Sequence, residues 1–213
     1  MNEATHSPVS TLVDDGVALV LIDSPPVNAT SQAVRAGLLG AVNAANANPA
    51  IKAIVIACEG RTFVAGGDIR EFGKPPLEPL LPSVCNAIEN SRKPVVAAVH
   101  GTALGGGLEI ALACHARVLG KDARVGLPEV KLGLLPGAGG TQRLPRLVGI
   151  LPALEIIASG RQLKADEALK LGIADEVSEG DPRPAAIARA GALVEKQLRR
   201  TGECVVAAFA PEE

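Results

Sequence analysis

The amino-acid sequence predicts an α/β fold with a largely parallel sheet. Short β-branched runs at residues 17–23, 54–57 and 95–99 alternate with helical patterns at 31–47 and 84–90. Strands separated by helices of that length are the order expected of α/β layering. Each run also opens into a loop loaded with Gly, Pro or Asn, the place where α/β proteins hold their reactive groups. The length of 213 residues suits one domain that buries roughly 70% of the surface its unfolded chain exposes.

Taken in order, the first ten residues are polar and lack the charged start and apolar run of an export signal. The first strand, 17–23, runs into Ser24-Pro25-Pro26-Val27-Asn28-Ala29, and the helix 31–47 follows. The second strand, 54–57, leads to Arg61-Thr62-Phe63-Val64-Ala65-Gly66-Gly67-Asp68. Residues 74–82 carry four prolines among apolar neighbours, which suits neither a helix nor a central strand. That segment is expected to be a flap over a pocket or a surface connection. The third strand, 95–99, enters Gly101-Thr102-Ala103-Leu104-Gly105-Gly106-Gly107. Further on, 164–171 reads as a helix stopped by Gly172, 173–177 as a short strand, and 184–199 as a last amphipathic helix opened by Pro184. Residues 201–213 show no strong pattern. The division expected is a core over 1–180 followed by a C-terminal helix and tail over 181–213.

Composition excludes several functions. The 47% hydrophobic content is almost all Ala, Val, Leu and Ile, with three Phe, one Met and neither Trp nor Tyr, so the core must pack small aliphatic side chains closely. A net charge of −2 and the near absence of rings for base stacking argue against nucleic acid. No apolar stretch reaches the roughly 20 residues that span a bilayer, so no membrane partner is expected. The four cysteines are scattered, without CxxC or metal-ligand spacing, and read as reduced thiols in a cytoplasmic protein with no metal site. Cys114 and His115 are neighbours in sequence, and adjacent helix residues do not face each other.

The strongest chemical signal is the glycine turn at 101–107 running into Leu108-Glu109-Ile110-Ala111-Leu112-Ala113. A strand that enters a glycine turn and leaves as a helix presents unpaired backbone N–H groups and a positive dipole end near residues 105–107. The spacing fits neither G-x-G-x-x-G nor a Walker A loop, because Ile110 stands where the third glycine belongs and no Gly-Lys-Ser/Thr occurs. A packing turn that binds nothing is the plain alternative. Glu109 lies one turn into a helix that is apolar on nearly every face, and Glu129 has an equally apolar setting in Val125-Gly126-Leu127-Pro128-Glu129-Val130. A carboxyl held away from water has its pKa pushed up, into the range useful for proton transfer. A solvent-facing glutamate or a buried ion pair is the plain reading of either residue alone. The second glycine turn, at 63–68, could face the first and complete an oxyanion hole.

With those residues in place, the chain resembles the enoyl-CoA hydratase/isomerase (crotonase) superfamily over about residues 16–177. The resemblance rests on Pro26-Val27-Asn28-Ala29, Phe63-Val64-Ala65-Gly66-Gly67-Asp68-Ile69, Gly105-Gly106-Gly107-Leu108-Glu109, Leu127-Pro128-Glu129-Val130-Lys131-Leu132-Gly133 and the run from Pro136-Gly137 to Leu144-Pro145-Arg146. It implies a spiral of repeated ββα units with C-terminal helices, here shortened. It also implies that Gly67 and Gly106 hold a thioester oxygen by their N–H groups, that Glu109 activates water and that Glu129 delivers a proton to the α-carbon. Ala65, Asp68, Ile69, Pro136 and Gly137 are the further substrate-binding positions implied. The substrate is an acyl-CoA, so coenzyme A arrives with it and no separate cofactor is expected. The resemblance implies a trimer-type homo-oligomer unless a shortened C-terminus prevents it, and a role in fatty-acid β-oxidation. His115 and Arg199-Arg200-Thr201-Gly202-Glu203 resemble the hydratase part of bifunctional hydratase/3-hydroxyacyl-CoA dehydrogenases, which suggests a piece or a stand-alone remnant of such an enzyme. Isomerase activity through the Glu129 position, or acyl-CoA binding without catalysis, are the alternatives.

Overall fold

A computed structural model describes residues 7–206 of the chain. Its larger sheet has six strands: β1 (Val9–Asp14), β2 (Val17–Ile22), β3 (Ala53–Cys58), β4 (Val95–Val99), β6 (Ala116–Gly120) and β9 (Glu176–Ser178), hydrogen-bonded in that order. Only the β1–β2 hairpin is antiparallel, as the sequence led us to expect of a largely parallel sheet. A smaller sheet joins β5 (Thr102–Leu104), β7 (Arg124–Gly126) and β8 (Gln162–Lys164). The chain steps from the large sheet to the small one at β4–β5 and again at β6–β7, which makes successive turns of a spiral. Helices α1 (Gln32–Ala47), α2 (Leu81–Glu89), α3 (Gly106–Ala113), α4 (Gly140–Val148), α5 (Ile150–Ser159), α6 (Ala165–Lys170) and α7 (Pro182–Ala192) complete the fold.

The small aliphatic composition is used on both faces of the large sheet. In β3, Ile54 and Ile56 point into the main core with Leu38, Phe63 and Ile88, whereas Ala53, Val55 and Ala57 pack on the other face. There they meet Val96, Ala98 and Ala116 and the Ala186 and Ala190 side of α7. A parallel sheet covered on both faces has continuous apolar strands, which is why β3 and β4 are buried at every residue. The last helix therefore lies flat on the sheet.

Several boundaries differ from the sequence reading. Helix α2 begins at Leu81, not residue 84, because Pro82 in its first turn needs no intrahelical acceptor for a missing N–H. The last strand lies at 176–178 instead of 173–177, because the Ile173 and Ala174 N–H groups turn back onto the Ala168 carbonyl and close α6. The last helix spans Pro182–Ala192, capped by Asp181, and stops well short of residue 199, with Glu195 at a positive φ of 64°. The patternless tail contains a single 3-10 turn, Thr201–Glu203, and its residues from 207 on lie outside the described range, as do the first six. Cys58, Cys85 and Cys114 are buried free thiols, and Cys204 is only half-buried. No helix among the described residues is long and apolar enough to cross a membrane.

Candidate active site

Two loops meet where the spiral passes from β3 to β5. The Phe63 N–H donates to the His100 carbonyl and the Val64 N–H to the Thr102 carbonyl, while Leu104 donates back to Val64 at 3.0 Å. Val64 and Ala103 thus pair like parallel strands and bring Gly67 beside the start of α3. The approach is very close at Gly107, where a β-carbon would lie 2.1 Å from the Val64 carbonyl oxygen. Only glycine fits there. Helix α3 starts from Gly105, at φ 53°, so Gly106 is its first residue and has no intrahelical acceptor. Among the described residues neither the Gly106 nor the Gly67 N–H donates to another group. The Phe72 ring flanks Gly67, and the Leu81 side chain lies against Gly106.

Glu109 projects from the first turn of α3 and is 3% exposed. Its Oε1 accepts from the Ala138 N–H at 2.6 Å and the Gly140 N–H at 2.9 Å. Burial pushes its carboxyl up, opposed by those two amides and by the positive charge of Arg143. Glu129 comes from the 3-10 turn Pro128–Leu132, and its side chain reaches back towards Gly105 at the N-terminus of α3. Its Oε2 is buried without a hydrogen-bond partner among the described residues. Burial raises this carboxyl too, and the charge of Glu109 raises it further. The two glutamates therefore stand around the same helix end, near enough for one to feel the ionisation of the other. Arg143 does not neutralise either of them by direct contact, because its ion-pair partner is Glu89.

A cavity of about 390 Å³ opens over this place, lined by Gly67, Asp68, Glu109, Gly137 and Ala138 on one side. The proline-rich segment supplies the opposite wall through Pro75, Leu77 and Leu80, so it is the flap of the two readings offered by its sequence. Arg35 of α1 holds that wall in place: its guanidinium donates to the carbonyls of Leu77, Pro79 and Thr30 and pairs with Glu71 at 2.8 Å. A neighbouring cavity of about 470 Å³, lined by Ala65, Ile69 and the Ser24–Pro26 loop, shares Gly67 and Asp68 with the first. Gly67 thus stands at the junction of the two spaces.

Of the residues singled out from sequence, Gly67, Asp68, Glu109 and Gly137 border the first cavity and Ala65 and Ile69 the second. Gly106, Glu129 and Pro136 are not among the residues that line either cavity. The Asp68 carboxylate is engaged elsewhere: it caps the 3-10 turn Ile69–Glu71 and grips the Arg70 side chain, which holds it down to about 2. What Asp68 presents to the two spaces is mainly its position. Sequence reasoning missed the amides of Ala138 and Gly140, although the Gly139-Gly140 pair at the head of a helix was a signal of the same kind as the first glycine turn. It also missed Arg35 and Arg143. His115 is a structural residue: its Nδ1 accepts from the Val95 N–H, so Nε2 carries the proton and donates to the Glu89 carbonyl. Burial lowers its imidazole to about 4 and keeps it neutral.

Known proteins share both sequence and fold with this chain. The family model described as enoyl-CoA hydratase/isomerase matches residues 13–208. A peroxisomal bifunctional enzyme of Danio rerio is 51% identical over 187 residues, covering 88% of this chain and 26% of the relative. The human enzyme of the same name is 47% identical over 91% of this chain and 27% of its own length. This chain therefore spans about a quarter of the length of those bifunctional relatives. A Bacillus subtilis protein named a probable enoyl-CoA hydratase is 44% identical over 78% of this chain and 67% of its own. Among solved structures, an enoyl-CoA hydratase from Bacillus anthracis superposes with a TM-score of 0.80 at 31% identity, covering 87% of this chain and 76% of that one. A two-sheet spiral that sets a buried glutamate and a half-buried one around a glycine-headed helix is thus found where sequence and fold comparison agree, and the chain belongs to the enoyl-CoA hydratase/isomerase family.

Proposed function

We propose that the chain hydrates 2-enoyl-CoA thioesters, the addition of water that belongs to fatty-acid β-oxidation. The observation that carries this reading is the pairing of Glu109 with Glu129, both raised by burial, beside two backbone N–H groups that have no other partner among the described residues. The thioester oxygen lies between the Gly67 and Gly106 N–H groups, which stabilise the negative charge that develops on it. Glu109, held as an acceptor by Ala138 and Gly140, takes a proton from water as the oxygen bonds to the β-carbon. The electrons of the carbon–carbon double bond pass into the thioester as an enolate. Glu129, favoured in its protonated form, gives its proton to the α-carbon and the carbonyl re-forms. The proton taken by Glu109 and the one given by Glu129 then re-equilibrate with solvent. Asp68 contributes by fixing the turn that follows Gly67. Ala65, Ile69 and Gly137 border the acyl-CoA, and Pro136 backs the turn that carries the Ala138 and Gly140 amides.

Shifting a double bond from the 3- to the 2-position needs one base where hydration needs a pair, so assaying 2-enoyl-CoA and 3-enoyl-CoA side by side separates the two. Hydration is expected to dominate. Isomerisation with no hydration would assign the site to the other reaction, and binding of acetoacetyl-CoA with neither turnover would make it a binding module. Several of the relatives are named peroxisomal enzymes, so the cytoplasmic location expected from the free thiols gains no support from them. The bifunctional relatives also favour the reading of this chain as the hydratase part of such an enzyme, and a self-associated trimer remains the assembly proposed.

A further inference from the structure

Behind Glu109 lies a continuous line of buried polar contacts that the hydration chemistry does not use. Ala138, whose N–H holds Glu109, has its own carbonyl, in the next peptide unit, bound by Arg143 Nη1 at 3.0 Å. The turn closes tightly round this guanidinium, since a β-carbon on Gly139 would lie 2.2 Å from Nη1. Arg143 is 5% exposed and forms a two-pronged pair with Glu89, Nη2 to Oε2 at 2.8 Å and Nε to Oε1 at 3.2 Å, with Asn86 accepting a further bond from Nη2. Glu89 Oε1 in turn accepts the Gly202 N–H at 2.6 Å, and the Glu89 carbonyl accepts from Arg200 and His115. A β-carbon on Gly202 would stand 2.8 Å from Glu89 Oε2. The line therefore runs from the Thr201–Glu203 turn, through α2 and α4, to the atom that grips the first glutamate.

We propose that Arg143 and Glu89 are positioning residues for Glu109, and that the docked Thr201–Glu203 turn sets their geometry and so the aim of the carboxylate. This rests on the catalytic role proposed for Glu109. An ion pair buried at this depth contributes little net stability after desolvation, while its fork geometry fixes direction. Charge as well as geometry passes along the line: Arg143 pulls the Glu109 carboxyl down against burial, Glu129 faces it from the other side, and Cys85 lies near both Arg143 and Glu109. A shift of the Glu109 carboxylate by roughly 1 Å is enough to cost a large factor in rate.

The test compares Glu89→Gln and Gly202→Ala with the unaltered protein, and uses Glu109→Gln as the reference for loss of the base. Crotonyl-CoA hydration is followed across the pH range with kcat and KM resolved, and acetoacetyl-CoA binding and thermal melting are measured on the same samples. The expected result is a fall in kcat of about tenfold or more, with KM and acetoacetyl-CoA affinity nearly unchanged. With Glu89→Gln the acid limb of kcat is expected to move to lower pH, because the Arg143 charge that favours ionised Glu109 is no longer offset by Glu89, whereas Gly202→Ala changes no charge and moves the limb only as far as it shifts the guanidinium. Should Glu89→Gln fail to fold, Gly202→Ala decides alone, since it adds one methyl group at the half-exposed end of the line. A folded Gly202→Ala with normal kcat and an unmoved acid limb would overturn the positioning role, as would a loss confined to melting temperature. If Glu109→Gln itself left hydration intact, the reading of the site would fail instead.

Discussion

Changing Gly107 to Ala perturbs one contact whose cost can be worked from the structure. The new methyl carbon would sit 2.1 Å from the Val64 carbonyl oxygen and 2.9 Å from the carbonyl carbon, and that oxygen already accepts the Leu104 N–H. Backbone on backbone has no rotamer to relieve it, so α3 and the Val64–Gly67 segment must part by roughly 1 Å to reach van der Waals contact. Overpacking of this kind costs about 1–3 kcal/mol or more. The same movement separates the Gly67 and Gly106 amides, and a misplacement on the order of 1 Å lowers the rate by about a hundredfold. Gly40 provides the opposite control: it is exposed on α1 with no atom within 4 Å of its β-carbon position. Gly40→Ala is therefore expected to stabilise the protein by about 0.5–1 kcal/mol. Urea unfolding and crotonyl-CoA hydration on the two variants check the pair. A Gly107→Ala protein as stable and as active as Gly40→Ala would refute the close approach on which the paired amides depend.

Three further outcomes follow from buried groups. Glu109 and Glu129 both bind their protons more tightly when folded than at the ordinary carboxyl value of 4.5, so the stability they contribute is complete below that pH and is lost as pH rises through their raised folded values. Glu129→Gln escapes that loss, so in urea titrations its advantage over the unaltered protein should grow from pH 4.5 upwards; an advantage independent of pH would contradict the cause assigned. Asp175 receives the backbone N–H and the Nη2 of the fully buried Arg117, and Asp175→Asn should cost about 3–5 kcal/mol by leaving that guanidinium uncompensated, a loss that denaturant unfolding measures directly. Burial raises the thiols of Cys58, Cys85 and Cys114, the last to about 12, so a thiol reagent should label Cys204 alone in the native protein and the other three only after unfolding.

The parts that the sequence disclosed were those with a local signature. β2, β3 and β4 are apolar β-branched runs, and Glu109 and Glu129 are acids in apolar settings next to turns. The strand Val9–Asp14 left no such trace, because five of its six residues are exposed at the edge of the sheet and alternate without a buried face. β5, β7 and β8 have three residues each, too few to show a period of two. Helix α4 contains Pro145, which masks a helical pattern, and its register became apparent only from the Gly139 cap. The clasp of Arg35 on the proline segment and the Glu89–Arg143 pair join residues 42 to 54 positions apart, and neither end is unusual in its own neighbourhood. Long-range polar pairs of that kind become visible only once the chain has folded.

The most direct measurement is the turnover of crotonyl-CoA by Glu109→Gln and Glu129→Gln, each made separately and shown by melting to be folded. Glutamine keeps the shape of each side chain and an acceptor oxygen for the Ala138 and Gly140 amides, and removes only the ability to exchange a proton. Each substitution should lower kcat by about 10²- to 10⁴-fold while acetoacetyl-CoA still binds. Near-normal hydration by either variant would take that carboxyl out of the chemistry and leave the paired-glutamate account without its foundation.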